Sequence, residues 1–335
     1  MTDLQTAEDI CLAMPKIELH RHLEGSLRPG FLLLVAARNG LKLPFSDADG
    51  YCSLLKFRTF ADFVRPFLMG VNCLHEPQDM LEAVVQLGEQ LAADNVVYAE
   101  VTFTPQFYLR RFSLETLFHA LNEGREEVRR KHDIEIRWIP DLVRNRYDVS
   151  ERCFRMLMRC DLKAQGVVAL GLGGPEEGHP AQTFKALFDE ARNQGIAVNP
   201  HAGETAGPES VWACLQDLHA VRIGHGVRSV EDQALLEYLK IHQVMLEVCI
   251  GSNVALKVCT EDQHPLRQLR QAGCRVCLNT DDPVLFQTTL SAEYLRAHSH
   301  HGFSIDDLNY CVRDAVDAIH ADLKPWVHTR LGDMA

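Results

Sequence analysis

The chain has 335 residues, 46% hydrophobic and 24% charged, with a formal net charge of −12. That length and composition supply ample material for a large buried core. The acidic balance argues against a polyanionic partner, because nucleic-acid affinity is drawn from Lys and Arg set against phosphates. The longest basic run, "RRK" at 129–131, reads as a solvated helix face, and no apolar run is long enough to span a bilayer. The opening stretch "MTDLQTAEDICLAMPK" is acidic and has no apolar core led by positive charge, so it does not read as a signal peptide. Eleven cysteines, an odd number scattered through apolar segments, read as buried free thiols in a reducing compartment. A soluble, cytoplasmic protein without nucleic-acid or membrane partners is expected.

In chain order, the strand candidates begin with "KIELHRHL" (16–23) and "VVYAEVTF" (96–103). Then come "IEIRWIP" (134–140), "VVALGLG" (167–173), "AVNPHAG" (197–203), "AVRIGHG" (220–226), "QVMLEVC" (243–249) and "CRVCLNT" (274–280). Helical patterns separate them, such as "PAQTFKALFDEARNQG" (180–195), with polar starts and i, i+3, i+4 apolar spacing. Eight strands, each followed by helical sequence, predict an α/β fold of the (β/α)8 TIM-barrel type, a single domain over 1–335. A doubly wound sheet needs a Gly-rich phosphate turn, and "GLGGPEEG" lacks the G-x-G-x-x-G spacing. The segment 24–95, with "FRTFADFVRPFLMG", predicts a helical insertion after the first strand, packed on the barrel or covering its mouth. Glu100 reads as a satisfied polar residue in the barrel or as the outer partner of a histidine. "GCRVC" (273–277) reads as core, and "HSHH" (298–301) as a solvated loop rather than a metal tract.

Barrel strands present functional side chains at their C-terminal ends. Those ends carry His20 and His22, Gly173–Gly174, His201 with Glu204, His225, and Asp281–Asp282. On a strand, His20 and His22 share a face. Three imidazoles and one carboxylate (His20, His22, His201 and Asp281) match the donor preferences of a borderline metal such as zinc. With these four protein ligands, a water would complete the coordination and its pKa would fall towards about 7. Glu204, three residues beyond His201, is placed to hold or deliver a proton, and His225 to orient the attacking oxygen.

The set "ELHRHLEGS", "GLGGPE", "HAGET", "RIGHG" and "NTDDP", in this order from about residue 14 to 300, resembles the adenosine deaminase family of the amidohydrolase superfamily. The resemblance implies a zinc-dependent barrel, one ion per chain with Fe2+ or Mn2+ as substitutes, that hydrolyses the 6-amino group of a purine. His20, His22, His201 and Asp281 are then the metal ligands, with His22 also facing substrate and Asp281 also taking part in catalysis. Glu204 protonates ring N1, His225 positions and deprotonates the attacking water, Asp282 hydrogen-bonds N7, and the Gly174 N–H contacts N3. The resemblance thus implies a small purine nucleoside or base as partner, foremost adenosine or deoxyadenosine, with adenine and 6-aminodeoxyfutalosine as alternatives.

Three departures bear on which purine enters. Glu24, which the resemblance implies is a substrate-facing residue, stands where nucleoside-acting members commonly have an Asp reaching the ribose 5′-hydroxyl. Pro175 replaces an acid in "GGPE", and Ile250–Gly251 replace two residues in "CIGSN". The binuclear branch of the superfamily uses a lysine at the end of strand four; here that strand ends "GLGG". Compact zinc deaminases pair H-x-E with P-C-x-x-C, and "GCRVC" lacks the proline. A non-catalytic nucleoside-binding relative is disfavoured because no ligand or proton-transfer group is missing.

Overall fold

The computed structural model describes residues 6–332, so the first five residues of the acidic opening stretch lie outside the described residues. Eight strands form one parallel sheet in sequential order: β1 (Lys16–His22), β2 (Val96–Phe103), β3 (Glu135–Val143), β4 (Ala169–Gly173), β5 (Ala197–Ala202), β6 (Arg222–His225), β7 (Met245–Val248) and β8 (Arg275–Leu278). The sheet closes on itself beyond β8. The His22 N–H donates to the Asp281 carbonyl at 2.8 Å, and the Asp281 N–H to the His20 carbonyl at 3.1 Å. Closure removes both sheet edges and gives the expected (β/α)8 barrel. β1 is buried along its whole length, as parallel strands covered on both faces are.

The residues that build these elements follow local rules. The β-branched and aromatic run of β2 pairs in register with β3 from Tyr98–Glu135 to Phe103–Pro140. Ser113 caps the helix Leu114–His132 by accepting the Thr116 N–H at 3.1 Å, and the "RRK" run falls in that helix's last turn, where cations complement the dipole. All eleven cysteines are free, and eight of them are buried. Cys274 and Cys277 belong to the core, as expected.

The insertion after β1 folds into the helices Pro29–Arg38, Ala48–Cys52, Phe60–Cys73 and Pro77–Ala93. Thr59 and Asp62 form a capping box that starts the helix Phe60–Cys73. Its apolar face lies over the barrel mouth. Phe63 stacks on Phe286 from the loop after β8 at 5.2 Å, and Phe67 meets Phe107 from the loop after β2 at 6.3 Å. Among the described residues no helix is long and apolar enough to cross a membrane.

One expectation is corrected. "HSHH" is the last turn of the helix Leu290–His301 rather than a solvated loop. Leu290, Tyr294, Ala297 and His301 form a buried stripe at helical spacing, which carries the helix to Gly302. His301 also has a carboxylate partner, Glu261, at 3.1 Å.

Candidate active site

The alternation of β1 turns the His20 and His22 rings to one side, 5.5 Å apart. β5 brings His201 against them: its ring is 4.5 Å from that of His20, and its Nε2 is 3.0 Å from His22 Nε2. Asp281 enters just past β8, with its Oδ1 at 3.2 Å from His22 Nε2 and 3.5 Å from His20 Nε2. The Ser252 hydroxyl donates to Asp281 Oδ2 at 2.6 Å. His225 and Asp281 both hold a backbone φ of 63°, a left-handed conformation that costs a non-glycine residue about 1 kcal/mol or more.

The donor atoms of His20, His22, His201 and Asp281 all lie within 4.8 Å of one another. His20 Nε2 is buried with no hydrogen-bond partner. Three imidazole nitrogens and one carboxylate oxygen, one of them orphaned and all converging, fit a borderline divalent cation. The shell behind them is of the kind that orients metal ligands. His20 Nδ1 is 3.1 Å from Glu247 Oε2, and Glu247 also accepts from Asn199 at 3.0 Å and pairs with Arg222 Nε at 3.0 Å. Burial alone would raise the Glu247 carboxyl, but Arg222 and His20 hold it below the usual carboxylate range. Gly224 makes room for this arrangement, since a Cβ there would stand 2.6 Å from His20 Cε1.

Glu204 is buried beside this cluster, with Oε1 3.7 Å from His225 Nδ1 and 3.4 Å from the Asn253 amide nitrogen. Burial, reinforced by the nearby Asp281 carboxylate, pushes its carboxyl well above the usual carboxylate range. Its loop is fixed by Glu176. The Glu176 carboxylate accepts the N–H groups of Gly203, Glu204 and Thr205 at 2.8, 2.9 and 2.8 Å, and the Ser210 hydroxyl as well. Successive N–H groups turned onto one carboxylate form an anion-holding nest. From the other side, Arg144 donates to the His201 carbonyl at 2.7 Å.

A cavity of about 470 Å³ opens above these groups, under the helix Phe60–Cys73. His22, His201, Glu204, His225, Asp281 and Asp282 form its polar floor, Gly173–Pro175 one side, and Phe60, Phe63, Phe67, Phe107 and Leu256 its apolar walls. Burial and the neighbouring Asp281 raise the Asp282 carboxyl. Gly174 sits at φ 87°, which only glycine adopts readily. His20 lies beneath the cavity, 3% exposed.

The structure brings together His20, His22, His201, Glu204, His225 and Asp281, and places Asp282 and Gly174 on the cavity wall. Glu24 sits one layer behind the cavity wall: it is buried, its Oε1 accepts the N–H of the cavity-lining Thr104 at 2.9 Å and the Tyr108 hydroxyl at 3.2 Å, and its Oε2 has no partner. Ile250 and Gly251 also turn away from the site; Ile250 is in the core, and the Gly251 N–H bonds Glu293. Glu100 is a satisfied barrel residue, bonded by Tyr98 and Arg222, and Glu247 rather than Glu100 backs His20. Residues that sequence reading passed over are Glu247, Asn199, Asp141, Glu176, Ser252 and Asn253. For Glu247 the signal was an acidic residue inside an otherwise apolar strand.

A parallel barrel whose mouth gathers imidazoles and carboxylates defines an amidohydrolase-type enzyme. Residues 15–326 match the adenosine deaminase family, and the chain belongs to it. It is accordingly a hydrolase acting on C–N bonds, in a family of metal-dependent deaminases. The chain is 38% identical over 298 residues to an aminodeoxyfutalosine deaminase of Streptomyces avermitilis, covering 87% of this chain and 83% of the relative. It is 31% identical to an adenine deaminase of Pseudomonas putida, covering 91% and 97%. The crystal structure of an adenine deaminase from Arthrobacter aurescens superposes with a TM-score of 0.89 at 26% identity, covering 95% of this chain and 98% of that one.

Proposed function

We propose that this chain removes the exocyclic 6-amino group of a 6-aminopurine by hydrolysis, with aminodeoxyfutalosine as the leading substrate and adenine as the second reading. The observation that carries the reaction class is the buried Glu204 carboxyl beside the converging His20–His22–His201–Asp281 donors, at and just beneath the floor of one cavity.

The chemistry asks for two things at once. An aromatic amine is a poor leaving group, so the ring needs a proton at N1 to make C6 electrophilic, and C6 needs a strong oxygen nucleophile. His20, His22, His201 and Asp281 would hold a divalent cation such as zinc, which when bound would supply hydroxide at neutral pH by lowering the pKa of a water. Glu204 delivers its proton to N1. His225, buried with Nε2 4.0 Å from Asp281 Oδ2, orients the oxygen that adds to C6. Asp282 Oδ1, buried without a partner, is the group for N7, and the Gly174 N–H the group for N3. Addition gives a tetrahedral C6 bearing both oxygen and nitrogen. The Glu204 carboxylate, freed of its own proton, passes the C6–OH proton to that nitrogen; the C–N bond breaks, ammonia leaves the 6-oxopurine, and Glu204 regains the proton that the water shed on becoming hydroxide.

The substrate reading departs from adenosine and deoxyadenosine. The position that would reach a ribose 5′-hydroxyl is Glu24, which does not itself line the cavity and whose Oε1 is held by the Thr104 N–H and the Tyr108 hydroxyl. The relatives named above act, by their names, on aminodeoxyfutalosine or adenine. The cavity, about 470 Å³ and walled largely by aromatic side chains, has room for a purine with a further substituent. A panel assay of ammonia release tests this, using aminodeoxyfutalosine, adenine, adenosine, deoxyadenosine and AMP. The highest kcat/KM is expected for aminodeoxyfutalosine. Highest turnover of adenine selects the second reading, and turnover of none of them overturns the reaction class.

A further inference from the structure

A chain of buried side chains leads from the loop after β7 into the site. Its first link is unambiguous: the Leu266 backbone N–H donates to His264 Nδ1 at 3.2 Å. Nδ1 is therefore a lone-pair acceptor, and the proton of the neutral ring sits on Nε2. Burial and the neighbouring His301 ring, 5.4 Å away, keep His264 neutral, with its pKa pushed down to about 3. His264 Nε2 lies 3.1 Å from Asn253 Oδ1, so it donates there and fixes the orientation of the Asn253 amide. The opposite orientation would set two donors against each other in a buried space, an arrangement that costs about 1–3 kcal/mol.

With its oxygen committed, Asn253 must turn its NH2 inward. That nitrogen is 3.3 Å from His225 Nδ1 and 3.4 Å from Glu204 Oε1. Both contacts make Asn253 the donor. His225 then carries its proton on Nε2, the nitrogen facing Asp281 and the reaction centre, where it has no other partner.

We propose that Asn253 and His264 are positioning residues that set the tautomer of His225. In the resting site His225 is a donor at Nε2. It holds and orients the attacking oxygen, and it accepts no proton there until it has first given one up. This rests on the reading of Glu204 and His225 as proton-transfer groups, and it refines the expectation that His225 deprotonates the water.

The test reads the ring directly. Full-length protein labelled with 15N-histidine is studied by NMR at neutral pH, both metal-free and zinc-loaded, with His225→Gln to assign the resonance. The wild type is expected to show the Nε2–H tautomer of His225. Asn253→Asp presents carboxylate oxygen to His225 Nδ1 and is expected to move the proton to Nδ1. It should also lower kcat by about 10–100-fold, the usual cost of losing an orienting partner, with a much smaller change in KM. His264→Gln frees the Asn253 amide and is expected to give a mixture of tautomers, serving also where Asn253→Asp fails to fold. A wild-type Nδ1–H tautomer, or a tautomer unmoved in either variant, overturns the proposal. Because the tautomer is read without substrate, failure of the deaminase reading in the panel assay stays separate from failure here.

Discussion

Glu247→Gln tests how far the site depends on residues that never reach the cavity. Its carboxylate is fully buried and serves His20 Nδ1 at 3.1 Å, Asn199 at 3.0 Å and Arg222 Nε at 3.0 Å. A glutamine keeps one acceptor and turns an NH2 towards donors that need the other. One charged hydrogen bond is lost, at about 1.5–3 kcal/mol, and one buried donor is left unsatisfied at about 1–3 kcal/mol. Arg222 retains Glu100, so the guanidinium is not stranded and the cost falls in the lower half, at about 3 kcal/mol. For a chain of this size that is a fall in Tm of roughly 4 °C. His20 also loses the partner that fixes its tautomer, so zinc affinity should drop by about 10–100-fold. Calorimetry of the metal-free protein and zinc competition against a chelating dye measure the two effects. An unchanged zinc affinity alongside a lowered Tm would refute the reasoning, reducing Glu247 to a partner of Arg222.

Three further outcomes are expected. Glu204→Gln keeps its metal by elemental analysis while turnover falls by about 10²–10⁴-fold, the contribution of a positioned proton donor. Gly224→Ala drives a methyl to within 2.6 Å of His20 Cε1, so metal content falls and stability drops by about 1–3 kcal/mol in denaturant titration. Asp79, far from the site, caps the helix Pro77–Ala93 through the N–H groups of His75 and Glu76 and pairs with Arg38. Burial opposes the effect, but the Glu76 N–H, the Asn39 amide and Arg38 together hold its carboxyl below the usual range. A depressed folded-state pKa stabilises above the unfolded value of about 3.9, and that stability is lost as pH falls through the folded value. Asp79→Asn should therefore cost about 1–2 kcal/mol at neutral pH and flatten the acid limb of the stability profile, measured by urea titration between pH 3 and pH 7, roughly the span over which a carboxylate titrates.

Much of this site was legible because it sits where alternation and strand ends put it. His20 and His22 share a face by the period of a strand, and His201, His225 and Asp281 each mark where an apolar run stops. What supports them was hidden by the same logic. Asp141 follows Pro140, which reads as a strand terminator, yet β3 continues to Val143 and sets Asp141 Oδ2 3.9 Å from His201 Nδ1. Glu247 lies mid-strand, and its purpose exists only once β1 brings His20 beside it. Asn253 and Glu176 act through loops whose conformation no periodicity encodes. His301 looked solvated because its burial depends on Glu261 and His264, which the fold alone supplies. Glu24, by contrast, was assigned by its place in a motif, and its side chain turns to Thr104 and Tyr108.

The central claim is that a single divalent cation, held between β1, β5 and β8, makes this barrel a deaminase. Metal-free protein titrated with zinc, with ammonia release from aminodeoxyfutalosine or adenine followed at each addition, tests it most directly. Activity should rise in proportion to zinc and break sharply when each chain holds one ion. Full activity before any zinc is added, or a rise that continues until each chain holds a second ion, would contradict it.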